Sequence, residues 1–77
     1  MTGEEGRSAE TGSMNVRSVT RATDILRSFR LRPLQSLSEV ANATGLDKGT
    51  TRRLLVTLMH SGFVVQDPMT QRYGLGR

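Results

Sequence analysis

Three helices closed by a C-terminal β-hairpin, a mainly α fold, is the architecture this sequence predicts. Three observations carry that reading. Apolar residues recur at i, i+3, i+4 and i+7 in three successive windows, the pattern of a helix with one buried face. Each window is bracketed by residues that start or stop helices. After Gly62 the texture changes to β-branched and aromatic residues on either side of an Asp-Pro turn.

The 77-residue chain opens on a segment that should not fold. Residues 1–15 are rich in Gly, Ser, Thr and Glu and nearly devoid of apolar side chains, too few to repay the entropy of ordering them. A flexible N-terminal tail is expected over residues 1–15, and one small folded domain over residues 16–77. The first helix takes Ser18 as N-cap, carries the stripe Ala22, Ile25, Leu26 and Phe29, and ends near Arg30, ahead of Pro33. The second starts at Ser36, whose spacing to Glu39 is that of a capping box. It carries Leu37, Val40, Ala41 and Thr44 and stops at Gly45. Asp47 caps the third helix, which buries Thr51, Leu54, Leu55 and Leu58 and runs to His60 and Ser61 before Gly62. Phe63 to Gln66 and Gln71 to Leu75 then read as two strands around the turn Asp67-Pro68-Met69-Thr70. An isolated hairpin is unstable in water, so this one must lie on the helices, with Phe63 and Tyr73 in the core. Ala41, small enough for two helices to cross closely, Gly45 at the turn and Leu46 as a core plug complete the pattern. The result is a three-helix winged helix-turn-helix with a two-stranded wing.

Charge points to a partner. Eleven Lys and Arg against seven Asp and Glu give a net +4, and residues 17–77 hold ten bases and four acids, a net of +6. Opposite the buried stripe of the third helix lie Gly49, Arg52, Arg53, Val56 and His60, with Lys48 and Thr50 flanking its N-terminal end. No acid occurs between Lys48 and His60, whereas solvated faces usually mix signs. Arginine pairs bidentately with guanine, while lysine, hydroxyls and backbone N–H groups hold phosphates. Gly49 would let the backbone approach DNA, and the N–H groups of Gly49 and Thr50 beside Lys48 suit a phosphate. In the hairpin, Arg72 reads as a wing residue reaching a phosphate or the minor groove, or as a strand-edge cation.

Other classes fare worse. One His, no Cys and scattered acids give neither a catalytic triad nor a metal site, so no enzyme and no cofactor is expected. No apolar run approaches the ~18 residues of a membrane span, and residues 1–16 lack the apolar stretch of a signal peptide. A cytoplasmic, nucleoid-associated protein is expected, in keeping with the absence of cysteine. Two alternatives stay open. A winged helix that binds protein would expose an apolar patch, for which Val56 and Met59 are the candidates beside the cationic face. An RNA-binding module would expose aromatic residues, of which the chain has three.

Longer motifs carry a resemblance. Ser18-Val19-Thr20-Arg21-Ala22-Thr23-Asp24-Ile25-Leu26, Leu37-Ser38-Glu39-Val40-Ala41 and Thr44 through Leu55 resemble the N-terminal domain of IclR-type transcriptional regulators. The stretch from Leu58 through Ser61-Gly62-Phe63-Val64 to Arg72-Tyr73-Gly74-Leu75-Gly76 is similar to that family's wing. The likeness covers roughly residues 16–77. It implies a bacterial or archaeal repressor or activator that binds double-stranded operator DNA as a homodimer or tetramer, with contacts on the recognition helix from Lys48 to Arg53. The candidate DNA-contacting residues are therefore Ser38, Lys48, Gly49, Thr50, Thr51, Arg52, Arg53 and Arg72. It also implies a larger C-terminal effector-binding domain, absent from these 77 residues. The chain alone is expected to be mostly monomeric. Two positions depart from the family's pattern: Asp47 stands where Pro is frequent, and Gly49 where Ser is frequent, which removes one hydroxyl from the phosphate contacts.

Overall fold

Helix α1, Ser13–Leu31, starts earlier than its expected cap. The computed structural model describes residues 13–76; the tail expected over residues 1–15 falls mostly on residues 1–12, outside the described residues. Ser18 is not an N-cap but an exposed residue inside α1. The reason is local: neither Gly nor Pro interrupts the chain between Ser13 and Leu31, so nothing obliges the helix to begin at Ser18. Its C-terminal end lies where expected. Pro33 disfavours helical backbone at Arg32, and the last N–H of the helix is that of Arg32, bonded to Ser28 O at 3.1 Å.

The other helix ends follow their caps. Helix α2, Leu37–Thr44, begins with a complete capping box: Ser36 Oγ accepts from the Glu39 N–H at 3.2 Å, and Glu39 Oε1 accepts from the Ser36 N–H at 2.9 Å. It ends on Gly45, whose φ of 74° is a left-handed conformation that costs glycine no Cβ clash. One residue later Leu46 packs against the core. Helix α3, Lys48–His60, is capped by Asp47, whose Oδ2 accepts from the Thr50 N–H at 3.0 Å. Gly62 follows it with a φ of 83°.

Strands β1 (Val64–Gln66) and β2 (Tyr73–Leu75) pair antiparallel, with Val64 opposite Leu75, Val65 opposite Gly74 and Gln66 opposite Tyr73. The connecting loop is longer than expected. The Gln71 N–H bonds Asp67 O at 2.8 Å, closing one helical turn. Gln71 then adopts a φ of 67° to rejoin the strand, so Gln71 and Arg72 lie outside β2. Asp67 holds the turn from inside, accepting from the Thr70 hydroxyl at 2.8 Å.

One element was not expected at all. Gln35, between α1 and α2, forms an isolated antiparallel bridge with Tyr73. The Gln35 N–H bonds Tyr73 O at 3.0 Å and the Tyr73 N–H bonds Gln35 O at 2.7 Å. Tyr73 thus pairs on both sides, and the wing is sewn to the helices through it. Gly74 permits this approach, because a Cβ there would lie 2.9 Å from Pro33 O and 3.1 Å from Leu34 Cδ2.

Ile25, Phe29, Val40, Leu55, Leu58, Val64 and Tyr73 form the core, with Ala22, Leu26, Leu37, Leu46, Leu54 and Met59 half-buried around it. All three helices and both strands contribute. Two expectations change. Leu54 is only half-buried, because the face that α3 turns inward is Thr51, Leu55 and Leu58. Phe63 is not core but 58% exposed, since it precedes β1 and its neighbour Val64 takes the inward position. Leu55→Ala should therefore cost about 2–5 kcal/mol, the range for large-to-small changes in a closed core, and Leu54→Ala clearly less. Urea unfolding of the two variants checks this. The reverse order would mean that α3 is rotated relative to this packing.

Candidate nucleic-acid interface

Helix α3 presents a surface set by which of its residues face inward. With Thr51, Leu55 and Leu58 buried, a spacing of ~100° per residue puts Gly49, Arg53 and His60 opposite the core. Arg52 and Thr50 fall on the two flanks, and Lys48 in the first turn. Lys48, Gly49, Arg52, Arg53 and His60 are exposed and Thr50 is half-buried. Of the two arginines, Arg53 is the one aimed outward, a distinction that follows from centring the buried face on Leu55 instead of Leu54.

Several candidate residues acquire different roles. Thr51 is fully buried and its hydroxyl donates to Asp47 O at 2.8 Å. It is a core residue and cannot touch a ligand of this surface. The Thr50 N–H is not available to a phosphate, because the Asp47 carboxylate occupies it. Ser38 is half-buried in the first turn of α2. Arg72 does not extend from the wing as an unpaired cation. Its guanidinium donates to Glu39 Oε1 at 2.6 Å, with Arg32 a second cation at 3.7 Å from Glu39 Oε2. Both Ser36 and Arg72 therefore converge on one carboxylate, which links the start of α2 to the wing. The Ser36 N–H and then Arg72 hold the Glu39 carboxyl below its ordinary range. The Thr50 hydroxyl and N–H do the same for Asp47, and the Thr70 hydroxyl and Met69 N–H for Asp67.

This arrangement has an electrostatic consequence. Four acids lie among the described residues, and three of them, Glu39, Asp47 and Asp67, are engaged as caps or turn anchors. Among the described residues, Lys48, Arg52 and Arg53 take part in no ion pair. No group of three or more His, Asp or Glu is placed to hold a metal among the described residues. Exposed apolar side chains lie elsewhere than the Val56–Met59 edge, which is half-buried. They are Val19 and Leu31 of α1, Leu34 after it, and Phe63, Val65, Met69 and Leu75 in and around the wing. The signal that could have revealed the Arg72 partner was present in the sequence only as the capping-box Glu39; their separation of 33 positions hid the pairing.

Fold and surface together define the class: a winged helix-turn-helix of the kind that places its second motif helix in a DNA groove. Residues 18–68 match the family model of the IclR helix-turn-helix domain. The chain belongs to that family of transcriptional regulators. It is 41% identical over 63 residues to the glycerol operon regulatory protein of Streptomyces coelicolor, covering 80% of this chain and 25% of that one. Among solved structures it is similar to HmgR of Pseudomonas aeruginosa, with 44% identity and a TM-score of 0.74 over 79% of this chain and 26% of that one. An IclR transcriptional regulator from Alicyclobacillus acidocaldarius gives 35% identity and a TM-score of 0.75, covering 79% and 25%. The chain spans about a quarter of the length of each of these relatives.

The carboxylate caps predict an acid response. Glu39, Asp47 and Asp67 all have depressed values in the folded state. Their stabilisation is fully present above the ordinary carboxylate range of about 4 and is lost as pH falls through the folded values. Circular-dichroism melts should give a steady midpoint from neutral pH down to about pH 5 and a falling one below about pH 4. Glu39→Gln should flatten part of that fall. An unchanged pH profile in this variant would remove Glu39 from the set of groups that hold the fold.

Proposed function

We propose that this chain binds double-stranded DNA in a sequence-specific manner, with α3 in the major groove, as the DNA-binding domain of a bacterial transcriptional regulator. The observation that carries this reading is the outer face of α3, where Lys48, Arg52 and Arg53 are exposed and unpaired among the described residues while nearby acids are engaged in caps. Such a face matches a polyanion, and a helix end carrying arginine suits base edges. The name of the Streptomyces relative, a glycerol operon regulator, supports control of an operon as the setting. No helix among the described residues is long and apolar enough to cross a membrane, in keeping with a cytoplasmic, nucleoid-associated site of action. The same reading has the operator bound by a homodimer or tetramer of a longer protein, with the 77-residue chain mostly monomeric. Sedimentation showing a tight dimer of this chain at micromolar concentration would contradict the last point.

Roles divide along α3. Arg53, facing outward, reads a base; Arg52 on the flank and Lys48 in the first turn hold phosphates; Arg72 positions the wing through Glu39. On a duplex selected from a random pool, Arg53→Ala should lose about 1–3 kcal/mol, with little change on a scrambled duplex. Lys48→Ala should weaken both about equally and lower the salt slope by roughly one unit. Titrations at several salt concentrations distinguish the two patterns. Wild-type-like binding by Arg52→Ala and Arg53→Ala alike would take α3 out of the groove.

A further inference from the structure

The N-terminal end of α3 carries a negative charge of its own. Asp47 is exposed, its Oδ2 sits 3.0 Å from the Thr50 N–H, and the Thr50 hydroxyl and N–H hold it ionised. This is the position where a helix-turn-helix brings its recognition helix closest to base edges. It is also where a phosphate would be drawn by the helix dipole and the first-turn N–H groups. Asp47 already supplies the anion, so a phosphate arriving there meets a like charge and an N–H already bonded.

The neighbouring sequence fits that carboxylate. A Cβ at position 49 would lie 3.2 Å from Asp47 Oδ2, closer than ordinary van der Waals contact. Gly49 has no left-handed φ to explain it, since the positive-φ glycines are Gly45 and Gly62. Within a helix glycine is less favourable than alanine. What glycine supplies here is room for the Asp47 side chain in its capping position.

We propose that Asp47 is a specificity-determining residue of the DNA surface: its carboxylate excludes a phosphate from the N-terminus of α3 and accepts a hydrogen bond from the exocyclic amine of a cytosine, with Gly49 leaving the space that holds it there. The proposal rests on the DNA-binding reading above. Its logic is that a carboxylate gains nothing from DNA in general. It repels every backbone, and in the major groove it is matched by the cytosine N4 donor. Asp47 therefore weakens binding to arbitrary sequence and costs less where cytosine lies beneath it.

The test compares the 77-residue chain with Asp47→Ser, which keeps a capping hydroxyl and removes the charge. Each protein is used to select duplexes from a random pool, then titrated at several salt concentrations on its selected duplex and a scrambled one. Expected for Asp47→Ser are roughly two- to five-fold tighter binding to the scrambled duplex, the worth of one charge at a helix end, and a salt slope steeper by about 0.9. A cytosine preference at one position, present with the wild type, should disappear. If the wild type binds duplex DNA in a salt-dependent manner while Asp47→Ser leaves consensus, scrambled affinity and slope unchanged, the inference about Asp47 is wrong and the DNA reading stands. If the wild type binds no duplex, both fall. Melting supplies the second arm: Gly49→Ala should lower the midpoint in the wild-type chain and raise it in the Asp47→Ser background. The same effect of Gly49→Ala in both backgrounds would overturn the fit between Gly49 and the carboxylate.

Discussion

Tyr73 is where the separate parts of this small domain become one body. The residue is 3% exposed, within the core that α1, α2 and α3 build, and its backbone pairs with Gln66 on one side and Gln35 on the other. A three-residue strand with a single partner is not stable by itself in water. Here the second partner and the buried ring replace the missing strands. Gln35 passes the constraint on: its side chain is fully buried, and Nε2 donates to Ser28 Oγ at 3.1 Å and to Arg32 O at 3.2 Å. The end of α1, the start of α2 and the wing are thereby held in one hydrogen-bonded unit. Glu39 adds a second tie between the same elements through Ser36 and Arg72.

What could be read from the sequence divides along range. Capping and stopping are decided within four or five residues, so the Ser36–Glu39 box, Asp47, Gly45 and Gly62 were legible as such and position four helix ends out of local chemistry. Ser18 shows the limit of that logic. A serine in a capping context starts a helix only when something upstream prevents it from starting sooner, and here Gly12 is the first glycine or proline in that direction. The α3 stripe was legible as a face but not as a centre, because Leu54 and Leu55 both satisfy the helical period. Packing against α1 and α2 decides between them, and that decision also settles which arginine looks outward. Gln35 was invisible for a different reason: a polar residue in a short connection has no period, and its burial follows from a strand that approaches from 38 positions further along the chain.

The surface of α3 illustrates the same division. Exposed Lys48, Arg52 and Arg53 followed from spacing alone. Thr51 lies among them in sequence yet belongs to the core, since the helix returns it to the Leu55 face. Arg72 belongs to the fold as much as to the surface, because a carboxylate fixed by its own capping duty stands opposite it. Among the described residues three of the four acids act in this way, each neutralising orphan backbone donors or a neighbouring cation. The acids thus complete local structure without diluting the positive field of α3.

Asp47 is the exception that carries information. Glu39 and Asp67 work at the start of α2 and in the wing turn, whereas Asp47 works at the end of α3 that the proposed reading brings first into a groove. The cap needs only an acceptor, and a neutral serine, threonine or asparagine would serve the helix comparably. The full negative charge is favoured by the dipole of α3 and, under the proposal above, opposes attraction to a polyanion. Gly49, with no turn to make, gives up some helix stability and leaves room for the same carboxylate. A cap whose charge opposes a polyanion and a glycine that leaves room for it fit each other sterically, and the proposed selection among DNA sequences gives that pairing one cause.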